Sequence, residues 1–260
     1  MITEFYKYQG TGNDFIIIDN RTNQIDKNDT KRIRELCDRR FGIGADGFIL
    51  LENDEFSDFK MVYFNADGRL STMCGNGGRC ITAFAKHLGI IESKTSFSAV
   101  DGIHEAQIDG AVVSLKMQDV DRVEVFDSHL FLDTGSPHHV EIINDHLEKL
   151  DVKTEGFKIR YGEPYGEEGS NVNFVEQRSK DTFAVRTYER GVEDETLSCG
   201  TGVTAVALAM HNAKRTMENE VVLETRGGKL RVRFKPTQKG YEDIWLVGPA
   251  VQVFKGSFQW

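Results

Sequence analysis

The sequence predicts an α+β fold in two pseudo-symmetric halves, each a curved, mostly antiparallel sheet wrapped around one central helix. Three observations carry this expectation. First, Cys74-Gly75-Asn76-Gly77-Gly78-Arg79-Cys80 and Cys199-Gly200-Thr201-Gly202 each place a cysteine just before a glycine-rich entry into an apolar, helix-like stretch. Second, the likeness extends upstream: residues 59–89 and 183–213 both run from an alternating apolar segment through a polar turn to Cys-Gly-x-Gly and an alanine-rich helix. Asn65 lies nine residues before Cys74 and Glu189 ten before Cys199, an offset of one loop residue. Coincidence of cysteine, glycines and flanking pattern is the mark of an internal repeat. Third, short strand-like runs joined by tight turns fill most of the remaining chain.

The elements follow in order. Glu4–Gln9 and Phe15–Asp19 read as strands flanking the turn Gly10-Thr11-Gly12-Asn13-Asp14. A helix over Thr30–Arg40 is capped by Asp29 or Thr30, since short polar side chains accept from first-turn N–H groups. Gly47–Glu52 and Phe59–Phe64 are strands before the first repeat helix. Phe97–Val100, Gly102–Ile108 and Ala111–Met117 form a meander turning at Asp101-Gly102 and Asp109-Gly110, both hairpin signals. The second half gives strands at Arg122–Phe126, Leu130–Asp133, Val172–Gln177 and Thr182–Tyr188. After the second helix come Glu220–Thr225, Lys229–Phe234, Ile244–Val247 and Val251–Phe254. Short links favour antiparallel pairing over parallel crossovers. The domain boundary is expected near Gln118–Asp121, giving an N-terminal domain over residues 1–119 and a C-terminal domain over 120–250.

Composition narrows the function. Apolar residues make up 39% of the 260, enough for packed cores, and no run is long enough to span a membrane. The first ten residues lack a basic region followed by an apolar stretch, so no secretory signal is expected and a cytoplasmic location follows. A net charge of −9 speaks against a nucleic-acid partner. The four cysteines, Cys37, Cys74, Cys80 and Cys199, form no C-x-x-C pair or common metal spacing, so no metal is expected. Cys37, beside Ile33 and Leu36, and Cys80, six residues into the first repeat helix, read as buried structural thiols.

Cys74 and Cys199 read differently. A cysteine at a helix N-terminus sits in the positive end of the macrodipole, which favours its thiolate. The first-turn N–H groups beside it form an anion site. Two such units suggest two thiols facing each other across a bound carboxylate. Two thiols, one as thiolate and one as thiol, can take and give a proton, and helix N-termini stabilise the negative charge of a carboxylate. Gly75, Asn76, Gly200 and Thr201 supply the expected donors.

The segments GTGNDFIIID (10–19), RRFGIGADGFILLE (39–52), FNADGRLSTMCGNGGRC (64–80), GSPHHV (135–140), NVNF (171–174) and YERGVEDETLSCGTG (188–202) resemble those of the diaminopimelate epimerases, pyridoxal-independent amino-acid racemases. The resemblance spans nearly the whole chain. It implies an active site in a cleft between two domains, with 251–260 returning to the N-terminal one. It implies catalysis by Cys74 and Cys199, supported by His138 and Glu189, without a cofactor. It carries Asn13, Asn65, Asn171, Glu189 and Arg190 to substrate binding, as a buried polar cluster for the distal amino-carboxylate head of diaminopimelate. The activity implied interconverts L,L- and meso-diaminopimelate for lysine and peptidoglycan precursor synthesis. The only partner implied is this small molecule, with no nucleic acid or membrane, and a homodimer is the assembly to expect on general grounds.

Two departures stand out: many relatives have Asn where this chain has Ser136, and some have Gln where it has Gly47. The nearest alternative is an epimerase or racemase of another amino acid, of the proline or hydroxyproline type. That group usually carries His after the first Cys-Gly, where this chain has Asn76. A non-catalytic or isomerase relative of the phenazine-biosynthesis type would lack the paired cysteines, and a thiol redox protein would want a C-x-x-C.

Overall fold

The structure is a computed structural model that describes residues 2–144 and 146–260. The chain divides into two compact units, Met1–Leu115 with Gly248–Trp260, and Lys116–Val247.

The first unit contains β1 (Ile2–Gly10), β2 (Asn13–Asp19), α1 (Thr30–Cys37), β3 (Gly47–Glu52), β4 (Phe59–Asn65), α2 (Gly75–His87), β5 (Lys94–Ala99), β6 (Gly102–Asp109), β7 (Val112–Lys116) and β17 (Val251–Gln259). β17 pairs antiparallel with β1, and β1 with β2. From there the pairing runs parallel to β3, antiparallel to β4, parallel to β5, and antiparallel through β6 to β7. β3 is buried at every position, because α1 covers one face and α2 the other. Asp29 caps α1 through its carboxylate, which accepts from Arg32 N. The α1 side packs Ile33 and Leu36 against Phe5, Ile16, Phe48 and Leu50.

The second unit contains β8 (Glu124–Val125), β9 (Leu130–Asp133), β10 (Pro137–Ile142), a 3₁₀ turn (Leu147–Lys149), α3 (Val152–Tyr161), β11 (Asn171–Gln177), β12 (Thr182–Glu189), β13 (Asp194–Thr196), α4 (Gly200–Asn212), β14 (Glu220–Thr225), β15 (Gly228–Pro236) and β16 (Tyr241–Pro249). β9 and β10 are antiparallel, β10 and β11 parallel, β11 and β12 antiparallel, β12 and β14 parallel. β14, β15 and β16 finish as an antiparallel meander. The sequence of pairings from β9 to β16 repeats that from β1 to β7, with α3 standing where α1 does and α4 where α2 does. The internal repeat in the sequence is thus a repeat of topology. α4 is buried almost all round from Gly202 to Met210, as expected of a helix that reads apolar on every face.

Several local expectations need correction. Each unit holds two parallel pairings inside its mostly antiparallel sheet, because a helix-bearing crossover joins the strands concerned. The helix expected over Thr30–Arg40 stops at Cys37. The strand expected over Arg122–Phe126 is only Glu124–Val125. β10, β13 and α3 were not expected.

Cys37 and Cys80 are free and buried, and burial pushes both thiols up to about 12. Alkylation of the native protein by iodoacetamide should therefore spare Cys37 and Cys80, which label only after unfolding. Rapid labelling of either in the native chain, mapped by mass spectrometry, would contradict this packing.

Candidate active site

The two repeat cysteines occupy equivalent places. Cys74 is the N-cap of α2, with φ −107° and ψ 134°, and Cys199 is the N-cap of α4, with φ −114° and ψ 116°. Both helices are 13 residues long, and neither cysteine makes a side-chain cap hydrogen bond. The first-turn N–H groups, which have no acceptor within a helix, are thereby left for other partners. The Cys74 and Cys199 carbonyls accept from Gly78 N at 2.8 Å and Val203 N at 3.0 Å, which fixes the backbone of each cysteine at the helix mouth.

In the first unit, Asn13 and Asn76 join Cys74 in one group. Cys74 Sγ lies 3.6 Å from Asn13 Oδ1, which also accepts from Asn76 Nδ2 at 3.2 Å. Arg79, fully buried, donates to Asn76 Oδ1 at 2.9 Å. Gly75 and Asn76 are buried in the first turn of α2. Asn65 ends β4 opposite Gly47 and is exposed; its backbone belongs to a turn closed by Gly68 and Arg69. Gly47 has a local reason. A Cβ there would come within 2.5 Å of Tyr63 Cε2, so the tyrosine ring occupies the place of a side chain.

In the second unit, Cys199 is buried, with Sγ 3.4 Å from Thr201 Oγ1. Thr134 Oγ1 donates to the Thr201 carbonyl at 3.0 Å, and Gly200 is buried beside it. His138, fully buried on β10, meets Asn173, a residue the sequence did not single out. Asn173 Nδ2 donates to His139 O, and Thr187 Oγ1 donates to Asn173 Oδ1, both at 3.0 Å. A carbonyl can only accept, so Asn173 must present N–H to His138 Nδ1, 3.0 Å away. The imidazole proton is then on Nε2, which is buried and has no acceptor among the described residues. Burial, and then the Arg190 charge, push His138 down to about 3. It is a neutral hydrogen-bond donor. Asn173 also fixes the helix: a Cβ on Gly202 would lie 2.5 Å from its Oδ1. Its one sequence signal was NVNF, where two asparagines sit two apart and so face one side of a strand.

The expected buried polar cluster is not what the structure shows. Arg190 is exposed, and its Nη1 donates to Glu168 O at 3.0 Å. Glu189, at the end of β12, is half-buried. Asn171 is buried, but its amide is used inside the protein. Nδ2 donates to Ser136 Oγ at 2.9 Å and Pro137 O at 3.1 Å, and Oδ1 accepts from Arg190 N at 2.9 Å. Ser136, the departure noted above, is thus the anchor of Asn171. No group of three or more His, Cys, Asp or Glu suited to a metal ion occurs among the described residues.

The family model described as diaminopimelate epimerase matches residues 5–122 and 130–253. A diaminopimelate epimerase of Flavobacterium psychrophilum is 57% identical, over 97% of this chain and 98% of that protein. One from Chlorobaculum tepidum is 43% identical over 95% of this chain and 98% of its own. Among solved structures, a PhzF-family phenazine biosynthesis protein of Bacillus anthracis covers both chains fully with a TM-score of 0.79 at 13% identity. A hydroxyproline epimerase from Agrobacterium vitis, with bound trans-4-hydroxy-L-proline, has a TM-score of 0.68 at 13% identity, over 99% of this chain and 91% of that one. These two structures share the fold.

Two outcomes follow from the geometry. An unfolded histidine takes up a proton below about 6.5, whereas folded His138 resists until about 3. Its contribution is full above that range and lost as pH falls, by at most about 1.4 kcal/mol per pH unit. The stability gap between wild type and His138→Gln, from urea midpoints, should narrow between about pH 7.5 and 5; a constant gap contradicts the neutral imidazole. Gly47→Ala should destabilise by about 1–3 kcal/mol through overpacking. Adding Tyr63→Val should recover part of that loss, and strictly additive effects would contradict the contact.

Proposed function

We propose that this chain, which belongs to the diaminopimelate epimerase family, interconverts L,L- and meso-diaminopimelate by proton transfer between two thiols and one α carbon. The observation that carries the reading is the equivalent placement of Cys74 and Cys199, each the N-cap of the central helix of its unit.

The chemistry follows from that placement. One cysteine acts as thiolate and takes the α proton, so a C–H bond breaks and an S–H bond forms. The electron pair moves into the carboxylate as an enediolate. First-turn N–H groups at Gly75–Asn76 and Gly200–Thr201 stabilise the oxygen charge. The other cysteine, a thiol, gives its proton to the opposite face. After one turnover the two cysteines have exchanged protonation states, and the reverse reaction uses the same groups. The pair titrates as a unit, so its apparent values belong to both thiols. His138, neutral with its proton on Nε2, supplies a donor hydrogen bond rather than a transferable charge. Glu189 takes an ammonium. Arg190 gives up its bond to Glu168 O to clamp a carboxylate with two parallel bonds. Asn13 and Asn171 order the groups that meet substrate, and Asn65 offers an exposed amide to the distal head.

The reading calls on no cofactor or metal. It puts the enzyme in the cytoplasm as a homodimer, acting on a small molecule without nucleic-acid or membrane partners. It would supply meso-diaminopimelate for lysine and peptidoglycan precursors. No described helix is long and apolar enough to cross a membrane.

Cys74→Ala and Cys199→Ala should each lower epimerisation by about 10²–10⁴-fold or more, with thermal unfolding little changed. Arg190→Met should impair diaminopimelate turnover while proline remains a non-substrate. Near-wild-type turnover by either cysteine variant would sink the mechanism, and efficient proline racemisation would transfer the assignment to the proline type.

A further inference from the structure

Around Cys74, two side-chain amides are strung between a carboxylate and a guanidinium. At one end Asn13 Nδ2 donates to Asp46 Oδ2 at 2.9 Å. A carboxylate only accepts, so this bond fixes which way the Asn13 amide faces. Its Oδ1 is turned to Cys74 Sγ at 3.6 Å and Asn76 Nδ2 at 3.2 Å. At the other end Arg79 Nη2 donates to Asn76 Oδ1 at 2.9 Å, and a guanidinium only donates. Both amides are therefore oriented by formal charges, head to tail, and neither can flip without losing a charge-assisted bond.

Each end is braced. Arg79, fully buried, also donates to Thr11 Oγ1 at 3.1 Å and Gly75 O at 3.3 Å. Asp46 Oδ1 accepts from Arg39 Nη2 at 2.7 Å, and Asp46 Oδ2 also takes Asp14 N at 3.2 Å. Arg39 bonds both oxygens of Asp14, and Lys7 lies 2.8 Å from Asp14 Oδ2. Burial opposes ionisation of Asp14, but the hydrogen bonds from Arg39 and Lys7 outweigh it and hold the carboxyl well below the usual range. Asp14 is thereby favoured as a carboxylate between Arg39 and Lys7.

We propose that Asp46 is a positioning residue for Cys74: by locking the Asn13 amide it keeps an acceptor, not a donor, against the sulfur, and so sets the orientation and protonation of that thiol. A carbonyl oxygen accepts from S–H and offers nothing to a thiolate. Hydrogen bonding to the neutral form disfavours the charged one. If the lock is released, the Asn13 amide can turn its N–H₂ to the sulfur, which then favours thiolate. Arg79 and Cys80 also sense the charge on Cys74. Arg79 keeps its bonds to Thr11 Oγ1 and Gly75 O, and Cys80, pushed up to about 12 by burial, stays neutral. Asp101 is tied to Met73 N at 3.4 Å and His104 at 3.2 Å.

The inference rests on Cys74 being one of the reacting thiols, but its first readout needs no substrate. Asp46 is partly exposed, with 44% of its side chain accessible, so Asp46→Asn and Asp46→Ala should fold. Iodoacetamide labelling of Cys74 near neutral pH, followed by peptide mass spectrometry, should be about tenfold faster in both variants than in wild type. Asp46→Glu, which keeps a carboxylate acceptor, should restore a rate near wild type. In turnover, Asp46→Asn should lower kcat with KM little changed and move the acidic limb of the kcat–pH profile to lower pH. Unchanged labelling in Asn and Ala variants overturns the proposal even if kcat falls, because that marks a merely structural role. Faster labelling with kcat and its pH profile unchanged also overturns it. If labelling responds and no variant, nor wild type, turns over diaminopimelate, the proposed reaction fails instead.

Discussion

The functional reading of this molecule depends on two helix mouths left uncapped by their own N-cap side chains. Most N-cap residues use a side-chain oxygen to satisfy a first-turn N–H. Cys74 and Cys199 do not, and a thiol is a weak substitute. The positive end of each buried helix is therefore suited to an anion from outside the helix. The substitution of cysteine for serine or aspartate gives up some helix stability. In exchange it places an ionisable sulfur beside first-turn N–H donors. The same choice is made twice on the same topology, and the proposed mechanism draws its acid and its base from that one chemical group.

The repeat was legible because it is written in the residues that chemistry fixes: cysteine, glycines and an alternating strand upstream. Gly47–Glu52, Leu130–Asp133 and Glu220–Thr225 fall where the alternating or continuous apolar runs placed them. What stayed hidden follows physical rules as well. β10 reads Pro-His-His-Val-Glu-Ile, whose buried histidines break the apolar pattern of a strand. α3 is only half committed to the core and is interrupted by Gly156, which reads as a breaker. The parallel pairings of β2 with β3 and of β10 with β11 arise from crossovers whose helices are short or weakly patterned.

The candidate site was legible in identity more than in burial. Motifs named Asn171 and Arg190, but tertiary contacts decide that Asn171 turns inward to Ser136 and Pro137 while Arg190 stays exposed. Asn173 escaped notice because its importance comes from what lies across the sheet, the His138 ring and the His139 carbonyl. Gly47 stood out in the sequence only as a departure; the Tyr63 ring, 2.5 Å from where its Cβ would lie, gives the local reason. Such pairs are invisible along one chain, since positions 47 and 63 meet only through the register of β3 with β4.

The central claim is that two different groups serve the two faces of the α carbon. The most direct measurement follows L,L-diaminopimelate in deuterium oxide at early times, with product and remaining substrate separated and weighed by mass spectrometry. A base and an acid on opposite faces should deliver solvent deuterium to the product while recovered substrate keeps its protium. Protium carried from substrate into product would mean that a single group shuttles the proton, and would contradict the account.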